Sequence, residues 1–327
     1  MIRRREFIAG LGSAAAWPLV ARAQQPAMPV IGYLGAQSAD DDYTNVTFPF
    51  HQGLKDTGYV EGQNVAIEYR WAENQPDRLS ALAADLVRRR VAVIAASGTE
   101  ATLAAKAATT TIPIVFSTGG DPIALGLVAS LNRPGANVTG IANLAVELEP
   151  KQLQLLRDLI PNAVIVGVLA DPAFPAAQSQ IADLQAAARA LRLQLIVVNA
   201  RADSDLETAF ANFSQQHVGA VLVGASTFYN RRTEQLAALA IHHRLPTMFP
   251  YREFTLAGGL MSYGSTIGYL YRQVGIYTGR ILKGEKPAEL PVQQITKIEM
   301  VINLKTAKAI GLTIPYTLLA RADEVIE

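Results

Sequence analysis

The sequence predicts an α/β fold made of two similar lobes, and three observations support this prediction. Short, continuous runs of apolar and β-branched residues alternate with helical patterns along nearly the whole chain. Such runs are typical of buried parallel strands in βαβ units. The second half repeats the rhythm of the first, and 327 residues are enough for two domains of ordinary size.

The first half contains five apolar runs that predict strands and one clear amphipathic pattern that predicts a helix. The helix covers residues 76–90, where Leu79, Leu82 and Leu86 mark one face. The predicted strands are Val30–Leu34, Val65–Tyr69, Val91–Ala95, Ile112–Phe116 and Val138–Ile141.

The second half repeats this order. The stretches "VAVIAASGTEATLAAKAATTTIPIVFST" and "VGAVLVGASTFYNRRTEQLAALAIHHRLPTMFPY" each read as a strand, a turn bearing Ser or Thr, a helix, a proline and a strand. Shared order and spacing indicate a duplicated architecture, with the two lobes facing each other. The predicted strands here are Val164–Leu169, Leu193–Val198, Ala220–Val223, Pro246–Phe249 and Gly259–Ser262.

The lobe boundary is expected near residues 143–150, and the C-terminal part predicts that the chain crosses back. A helix at Ile267–Lys283 and a polar-alternating strand at Gln293–Val301 follow the second lobe. We therefore assign residues 28–142 and 267–288 to lobe 1, and residues 143–266 and 289–327 to lobe 2. Several crossings at one seam predict a hinge.

The N-terminus has the pattern of an export signal. Arg3, Arg4 and Arg5 precede an apolar run that is too short to span a bilayer. Ala21 and Ala23 form the small-x-small pair that a signal peptidase accepts, which predicts cleavage before Gln24. Residues 1–23 are therefore predicted to be a signal peptide of twin-arginine type, and the mature protein is predicted to be periplasmic.

Composition and motifs argue against several functions. A formal net charge of +1 offers no electrostatic footprint for nucleic acid or an anionic membrane. The absence of Cys excludes disulfides, a thiolate nucleophile and iron–sulfur clusters, and the adjacent His242 and His243 point apart on a helix. The turn at 32–38 lacks Gly-x-Gly-x-x-Gly, and residues 40–42 lack the Gly and Glu of a calcium loop. We predict no catalytic activity, no cofactor and no metal.

Ligand-binding residues are expected in the strand-to-helix turns, because ligands of open parallel sheets lie beyond the carboxyl ends of the strands. In lobe 1, small hydroxyl side chains and glycines at such turns predict a carboxylate site. Capping of the helices is the alternative role of these hydroxyls. The predicted residues are Ser97, Gly98, Thr99, Thr118 and Gly119.

The turns of lobe 2 are richer in aromatic residues. Ser226 and Thr227 precede Phe228 and Tyr229, and one of these two rings is expected in the core. The remaining rings are predicted to stack on a planar or apolar ligand. Further predicted ligand contacts are Phe174 and Tyr251, the carboxylates Asp121, Asp171 and Glu253 for a ligand ammonium, and Arg252 for a second carboxylate.

Four segments closely resemble one family. "GTEATLAAKAATTTIPIVF", "LNRPGANVTGI", "YREFTLAGGLMSYG" and "RILKGEKPAELPVQQITKIEMVINLKTAKAIGLTIP" are similar to the ABC transporter substrate-binding family that includes tryptophan- and phenylalanine-binding members. The likeness runs from about Pro29 to Glu327. It implies a type I periplasmic binding fold with two Rossmann-like lobes, three crossovers and a ligand in the cleft.

The resemblance also implies a function. A monomeric protein would capture a small metabolite, an amino acid or an aromatic or carboxylate compound, for an ABC permease in the inner membrane. A receptor module for a signalling partner and an exported oxidoreductase are the alternatives. This chain has "GASTFY" at Gly224–Tyr229 where "GADPFF" is expected. The missing carboxylate leaves aromatic acids and other neutral or anionic solutes open as ligands.

Overall fold

The structure is a computed structural model that describes residues 28–38 and 43–327. The predicted signal peptide and the acidic residues Asp40–Asp42 lie outside the described residues. Thirteen strands are described: β1 Val30–Gly35, β2 Ala66–Trp71, β3 Val93–Ser97, β4 Ile114–Thr118, β5 Val138–Ala142, β6 Ile165–Ala170, β7 Gln194–Asn199, β8 Ala220–Val223, β9 Thr247–Phe249, β10 Met261–Gly264, β11 Gln293–Gln294, β12 Glu299–Asn303 and β13 Glu324–Ile326.

Helices follow most of the strands. The α-helices are α1 Phe48–Asp56, α2 Leu79–Arg88, α3 Thr99–Ala108, α4 Ala145–Leu159, α5 Ala177–Leu191, α6 Asp203–Gln215, α7 Thr233–His242, α8 Arg252–Leu256, α9 Ile267–Leu282, α10 Leu304–Ile310 and α11 Tyr316–Leu319. A π-helical turn at Tyr43–Thr47 and 3-10 turns at Pro76–Arg78, Tyr229–Arg231 and Pro287–Glu289 complete the described helical segments.

The strands form two separate sheets with the same internal order. The first sheet runs β11-β5-β4-β3-β1-β2, and the second runs β13-β12-β10-β9-β8-β6-β7. In each lobe the first strand therefore pairs with both the second and the third, all in parallel. This is a doubly wound order with its switch point beside the first strand. The predicted α/β fold with two similar lobes is confirmed.

Three segments join the lobes. The chain leaves the first sheet after β5, returns between β10 and α9, and leaves again between β11 and β12. The predicted strand at Gln293–Val301 is wrong, because Gln293 and Gln294 pair with β5 whereas β12 pairs antiparallel with β10. The first sheet thus extends past the predicted boundary at 288, since the last crossing lies at residues 295–298.

The core is densest in the middle of each sheet. All five residues of β3, of β4 and of β5 are buried, whereas all six residues of the edge strand β2 remain partly exposed. Helix α9 packs on α1 and on the strands β3, β4 and β5, so it belongs physically to the first lobe. Helix α4 packs on α5 and on strands of the second sheet.

Helices α1 and α9 approach each other at glycines. A β-carbon placed on Gly275 would lie 2.1 Å from the carbonyl oxygen of Phe50, and one on Gly53 would lie 2.0 Å from that of Arg272. The two backbones are therefore in direct contact, which a larger residue at either position prevents. Across the described residues, no helix combines the length and apolar character that a membrane crossing requires.

Candidate functional site: the cleft between the lobes

A cleft lies between the lobes at the carboxyl ends of the strands next to each switch point. The empty space in this cleft, counted together with the adjoining solvent, is about 340 Å³. Both lobes and the joining segments contribute to its walls. The described lining residues are Gly98, Thr99, Ser117, Thr118, Gly119, Asn143, Phe174, Ala225, Ser226, Thr227, Asn230, Tyr251, Leu270 and Tyr271.

Gly98 forms the turn between β3 and α3 and brings the lobes together. Its φ of +88° lies in the left-handed region that favours glycine. Its N–H donates to Ser117 Oγ at 2.9 Å, which fixes the turn against β4. A β-carbon at this position would lie 2.9 Å from Thr227 Oγ1 of the second lobe. Glycine is therefore required for the close approach of the two lobes.

Two threonine hydroxyls form a polar patch on the first lobe. Thr99 Oγ1 and Thr118 Oγ1 lie 3.0 Å apart, and Thr118 Oγ1 also accepts from the Gly120 N–H at 3.2 Å. The alternative of helix capping does not hold for α3, because Gly98 is the N-cap and no side chain caps this helix. Both hydroxyls line the cleft beside Gly119. They are placed to bind a polar group of a ligand.

Ser97 lies behind the cleft and is not among its described lining residues. Its Oγ accepts a hydrogen bond from Gln37 Nε2 at 3.0 Å and lies 2.8 Å from the Tyr271 hydroxyl. All three groups are buried. Ser97 therefore does not line the cleft itself. Its hydrogen bond positions the ring of Tyr271, which lines the cleft from the start of α9.

Asp171 supports the turn that faces the cleft from the second lobe. Its Oδ2 accepts from Ser226 Oγ at 2.6 Å, and its Oδ1 accepts from Arg201 Nη1 at 2.7 Å and from the Ala173 N–H at 3.0 Å. The side chain is fully buried. Ser226 in turn accepts from the Phe228 N–H at 3.0 Å. The carboxylate thus orients Ser226 but does not itself line the cleft.

Two other predicted carboxylates also serve local structure. Asp121 is exposed, and its Oδ1 accepts from the Ile123 N–H at 2.8 Å within its own loop. Glu253 Oε1 accepts from the N–H groups of Ile267 and Gly268 at 2.8 and 3.4 Å, so a residue of the second lobe caps α9. Burial raises the pKa of Glu253. Arg252 pairs with Glu299 and Glu324 away from the cleft.

Tyr251 joins the second lobe to the first crossing segment. Its hydroxyl accepts from Asn143 Nδ2 at 2.9 Å, and Asn143 Oδ1 accepts from the Ala145 N–H at 3.3 Å. Burial raises the pKa of Tyr251, so the hydroxyl stays protonated near neutral pH. The O–H has no acceptor among the described residues and is available to donate to a bound molecule.

The aromatic residues divide between the cleft and its surroundings. Phe174 lines the cleft. Tyr229 is the core member of its pair, since it is fully buried and donates to the Ala200 carbonyl at 2.9 Å. Phe228 lines a neighbouring chamber, where the Arg232 guanidinium lies 3.6 Å from the ring centroid.

The neighbouring chamber contains charged groups from both lobes. Thr227 lies between the two spaces and donates to Glu100 Oε2 at 3.4 Å. Burial raises the pKa of Glu100. Arg231 of the second lobe donates to Asn74 Oδ1 of the first. These contacts and the close approach of Gly98 to Thr227 place the two lobes against each other beside the cleft.

Sequence reasoning missed several cleft residues. Ser117 precedes Thr118 at the end of the same strand. Its position at the strand end was therefore enough to predict that it lines the cleft. Asn143, Leu270 and Tyr271 come from or follow the crossing segments, whose place in space no local pattern reveals. Asn230 follows the lobe 2 turn, and its buried Oδ1 has no hydrogen-bond partner in the described part of the chain.

The chain is similar to a family model and to a known protein. A family model described as "ABC transporter substrate binding protein" matches residues 39–326. A "Tyrosine-binding protein" of Clostridioides difficile (strain R20291) is 25% identical over 264 residues, which are 80% of this chain and 75% of that protein.

Two solved structures cover 91% of this chain and 99% of their own chains. One is a conserved domain protein from Vibrio cholerae, with a TM-score of 0.82 and 25% identity. The other is an ABC domain from Streptococcus pneumoniae in complex with L-Trp, with a TM-score of 0.80 and 24% identity. These similarities extend over both lobes of the described structure.

Proposed function

Because the chain belongs to the ABC transporter substrate-binding protein family, we propose that its cleft binds a small carboxylate-bearing metabolite, an amino acid or an aromatic acid, for an ABC permease. The observation that carries this proposal is a cleft lined by residues of both lobes and of the segments between them. A ligand in such a cleft contacts both lobes at once. This arrangement suits capture and release of a solute.

The polar side of the cleft supports binding of a carboxylate. Thr99 and Thr118 present hydroxyls, Gly98 and Gly119 allow close approach to the backbone, and the N-terminus of α3 lies beside them. Hydrogen bonds to a charged acceptor contribute about 1.5–3 kcal/mol each. The free Tyr251 O–H adds a donor from the opposite lobe. These groups are the proposed anchor of the solute.

The remaining surface supports an aromatic or apolar solute body. Phe174, Tyr251 and Tyr271 contribute rings, and Leu270 adds aliphatic surface. The buried Asn230 Oδ1 offers an acceptor to an N–H or O–H of the solute. The tyrosine-binding relative and the L-Trp complex motivate a search among aromatic compounds.

Binding is proposed to favour the closed arrangement of the lobes. A solute that touches both lobes shifts the population toward the state in which those contacts exist. Closure brings Gly98 against Thr227, and Arg231 against Asn74. The permease would then recognise the closed monomer. Residues 1–23 would direct export to the periplasm, and the lobes would comprise residues 28–142 with 267–294, and 143–266 with 299–327.

A solute screen tests the proposal directly. Thermal shift followed by calorimetric titration is run with aromatic L-amino acids and with matched acids that lack the amino group, for example L-tyrosine and 3-(4-hydroxyphenyl)propionate. Saturation at 100 times Kd is expected to stabilise the protein by about 2.7 kcal/mol. If no amino acid or aromatic acid stabilises the protein, the proposed function is wrong.

Paired variants test the anchor. Thr99→Val with Thr118→Val removes both hydroxyls at constant volume and is expected to weaken binding of the screened solute by at least tenfold. Thr110→Val, an exposed threonine just beyond α3, is the matched control and is expected to leave Kd unchanged. An unchanged Kd in the double variant would exclude the carboxylate anchor.

A further inference from the structure

A buried carboxyl group lies directly beneath the cleft-lining turn of the second lobe. Glu149 of α4 is 1% exposed, and its Oε1 accepts from the Ala225 N–H at 2.8 Å and from Gln180 Nε2 at 2.6 Å. Gln180 Nε2 also lies 3.3 Å from the Ala225 carbonyl oxygen, to which it donates. Side chains from α4 and α5 therefore hold both polar backbone groups of Ala225.

The residues around the hydrogen bonds of Ala225 are closely packed. A β-carbon on Gly224 would lie 3.1 Å from Gln180 Nε2 and 3.0 Å from the Leu169 carbonyl oxygen. The next residues, Ala225, Ser226 and Thr227, line the cleft. A shift of the Glu149 carboxyl group is thus transmitted to the wall of the cleft through one peptide group.

The surroundings of Glu149 disfavour a negative charge. The charged and titratable groups that act on it are Glu147 of the same helix, Asp183 of α5 and the Tyr251 hydroxyl, and none of these is a cation. Burial raises the pKa of Glu149 to about 8, and it outweighs the hydrogen bonds from Ala225 and Gln180, which lower the pKa; the two acidic neighbours raise it further. Glu149 Oε2 and Gln180 Oε1 are both buried without hydrogen-bond partners among the described residues. A proton on Glu149 removes one of these two unpaired acceptors.

We propose that Glu149 is a positioning residue that holds the Gly224–Thr227 turn in its neutral, protonated form, and that its ionisation in alkaline solution loosens this turn and weakens solute binding. The statement about solute binding rests on the proposed function. The statement about the turn does not. Ionisation would leave a buried carboxylate without a cation, and opening of the turn to water relieves that cost.

The sign of the pH dependence follows from linkage. Because the pKa in the folded protein lies above the ordinary value of 4.5, the neutral group stabilises the fold fully below pH 4.5. This contribution is lost as the pH rises through about 8. Over that window, the folding equilibrium constant of the unmodified protein is expected to fall by about a thousandfold relative to Glu149→Gln, which cannot ionise.

Three variants separate the possible roles of the group. Glu149→Gln keeps an acceptor for Ala225 and imitates the neutral acid. Glu149→Leu removes the acceptor at similar volume. Glu147→Gln is the matched control, since it removes one negative charge from an exposed position of the same helix.

Unfolding midpoints in urea are measured from pH 5 to pH 9, and amide hydrogen exchange of Ala225 is measured at pH 7 and pH 9 after correction for the intrinsic rate. As the pH rises, the urea midpoint of Glu149→Gln is expected to increase relative to that of the unmodified protein. The Ala225 amide of Glu149→Gln is expected to stay protected from exchange at both pH values. The unmodified protein and Glu147→Gln are expected to lose that protection at pH 9. Glu149→Leu is expected to lack it at both.

Parallel pH profiles of the unmodified protein and Glu149→Gln would overturn the proposal, as would full Ala225 protection in Glu149→Leu. If Glu149→Leu does not fold, the comparison with Glu149→Gln alone still decides. These measurements need no solute, so failure of the solute screen affects only the proposed function. Equal Kd values for L-tyrosine or 3-(4-hydroxyphenyl)propionate at pH 7 and pH 9, despite loss of Ala225 protection, would refute the link to binding.

Discussion

Replacement of Gly275 by alanine tests the contact between α1 and α9. The added β-carbon would lie 2.1 Å from the Phe50 carbonyl oxygen and 2.9 Å from the Leu54 nitrogen, both of which are backbone atoms. Rotation of a side chain therefore relieves neither contact. Restoring an ordinary distance of 3.4 Å requires the helices to separate locally by about 1.3 Å.

The expected magnitude follows from two opposing terms. Overpacking of this kind costs about 1–3 kcal/mol or more, and here the strained atoms belong to the backbone. The gain in helix propensity from glycine to alanine offsets up to about 1 kcal/mol. We expect the free energy of unfolding to fall by about 2 kcal/mol. For a domain of about 150–250 residues, this loss corresponds to a decrease in Tm of about 4–8 °C.

Gly268→Ala is the matched control on the same helix. Its β-carbon would meet only Pro49 Cγ at 3.6 Å, an ordinary contact, so its Tm is expected to stay equal or rise slightly. Urea unfolding is followed by circular dichroism and by the fluorescence of Trp71, which packs against Tyr33 and Tyr69 in the first lobe. If the two variants are equally stable, the close contact of the helices is not as described.

Four further outcomes are expected. Tyr251→Phe leaves the buried Asn143 Nδ2 without its acceptor, so urea unfolding should show a loss of about 1–2 kcal/mol, and no loss would contradict the contact. Asp171→Asn breaks a pair whose carboxylate is fully buried and should cost about 3 kcal/mol, with the free energy of unfolding as readout. Gly98→Ala should weaken solute affinity because its β-carbon meets Thr227, whereas Gly126→Ala, also at positive φ but in open space, should change stability without changing Kd. The N–H groups of Arg201 and Ala202 lower the pKa of Asp205, so the Tm difference between the unmodified protein and Asp205→Ala should be present at pH 7 and vanish as the pH falls through that lowered value, below 3.8.

The architecture was predictable because local patterns encode it. Buried strands such as β3 and β8 read as continuous apolar runs, and the repeated order of strand, turn and helix in the sequence indicates duplication. The two sheets share one strand order because the two halves of the chain repeat the same succession of strands and helices. Turn residues such as Gly98 were found because strand ends and helix starts locate them along the chain.

The remaining features depend on distances in space that the local sequence does not contain. Residues 293–301 alternate in polarity like one strand, yet the chain changes sheets within them. Ser97 lies in the predicted turn after the third strand, but the hydroxyl of Tyr271, which is 174 residues further along the chain, lies 2.8 Å from its Oγ. The position of Asp171 after a strand predicts a ligand contact, but its carboxylate accepts a hydrogen bond from Arg201 on the loop after β7.

The three joining segments also limit how the molecule can come apart. A protease that cuts only one of residues 143–144, 265–266 or 295–298 divides the chain into two fragments, which the packing of α9 on the first lobe and the pairing of β11 with β5 and of β12 with β10 hold together. A nicked molecule should therefore remain a single particle under native conditions, although its fragments separate in a denaturing gel.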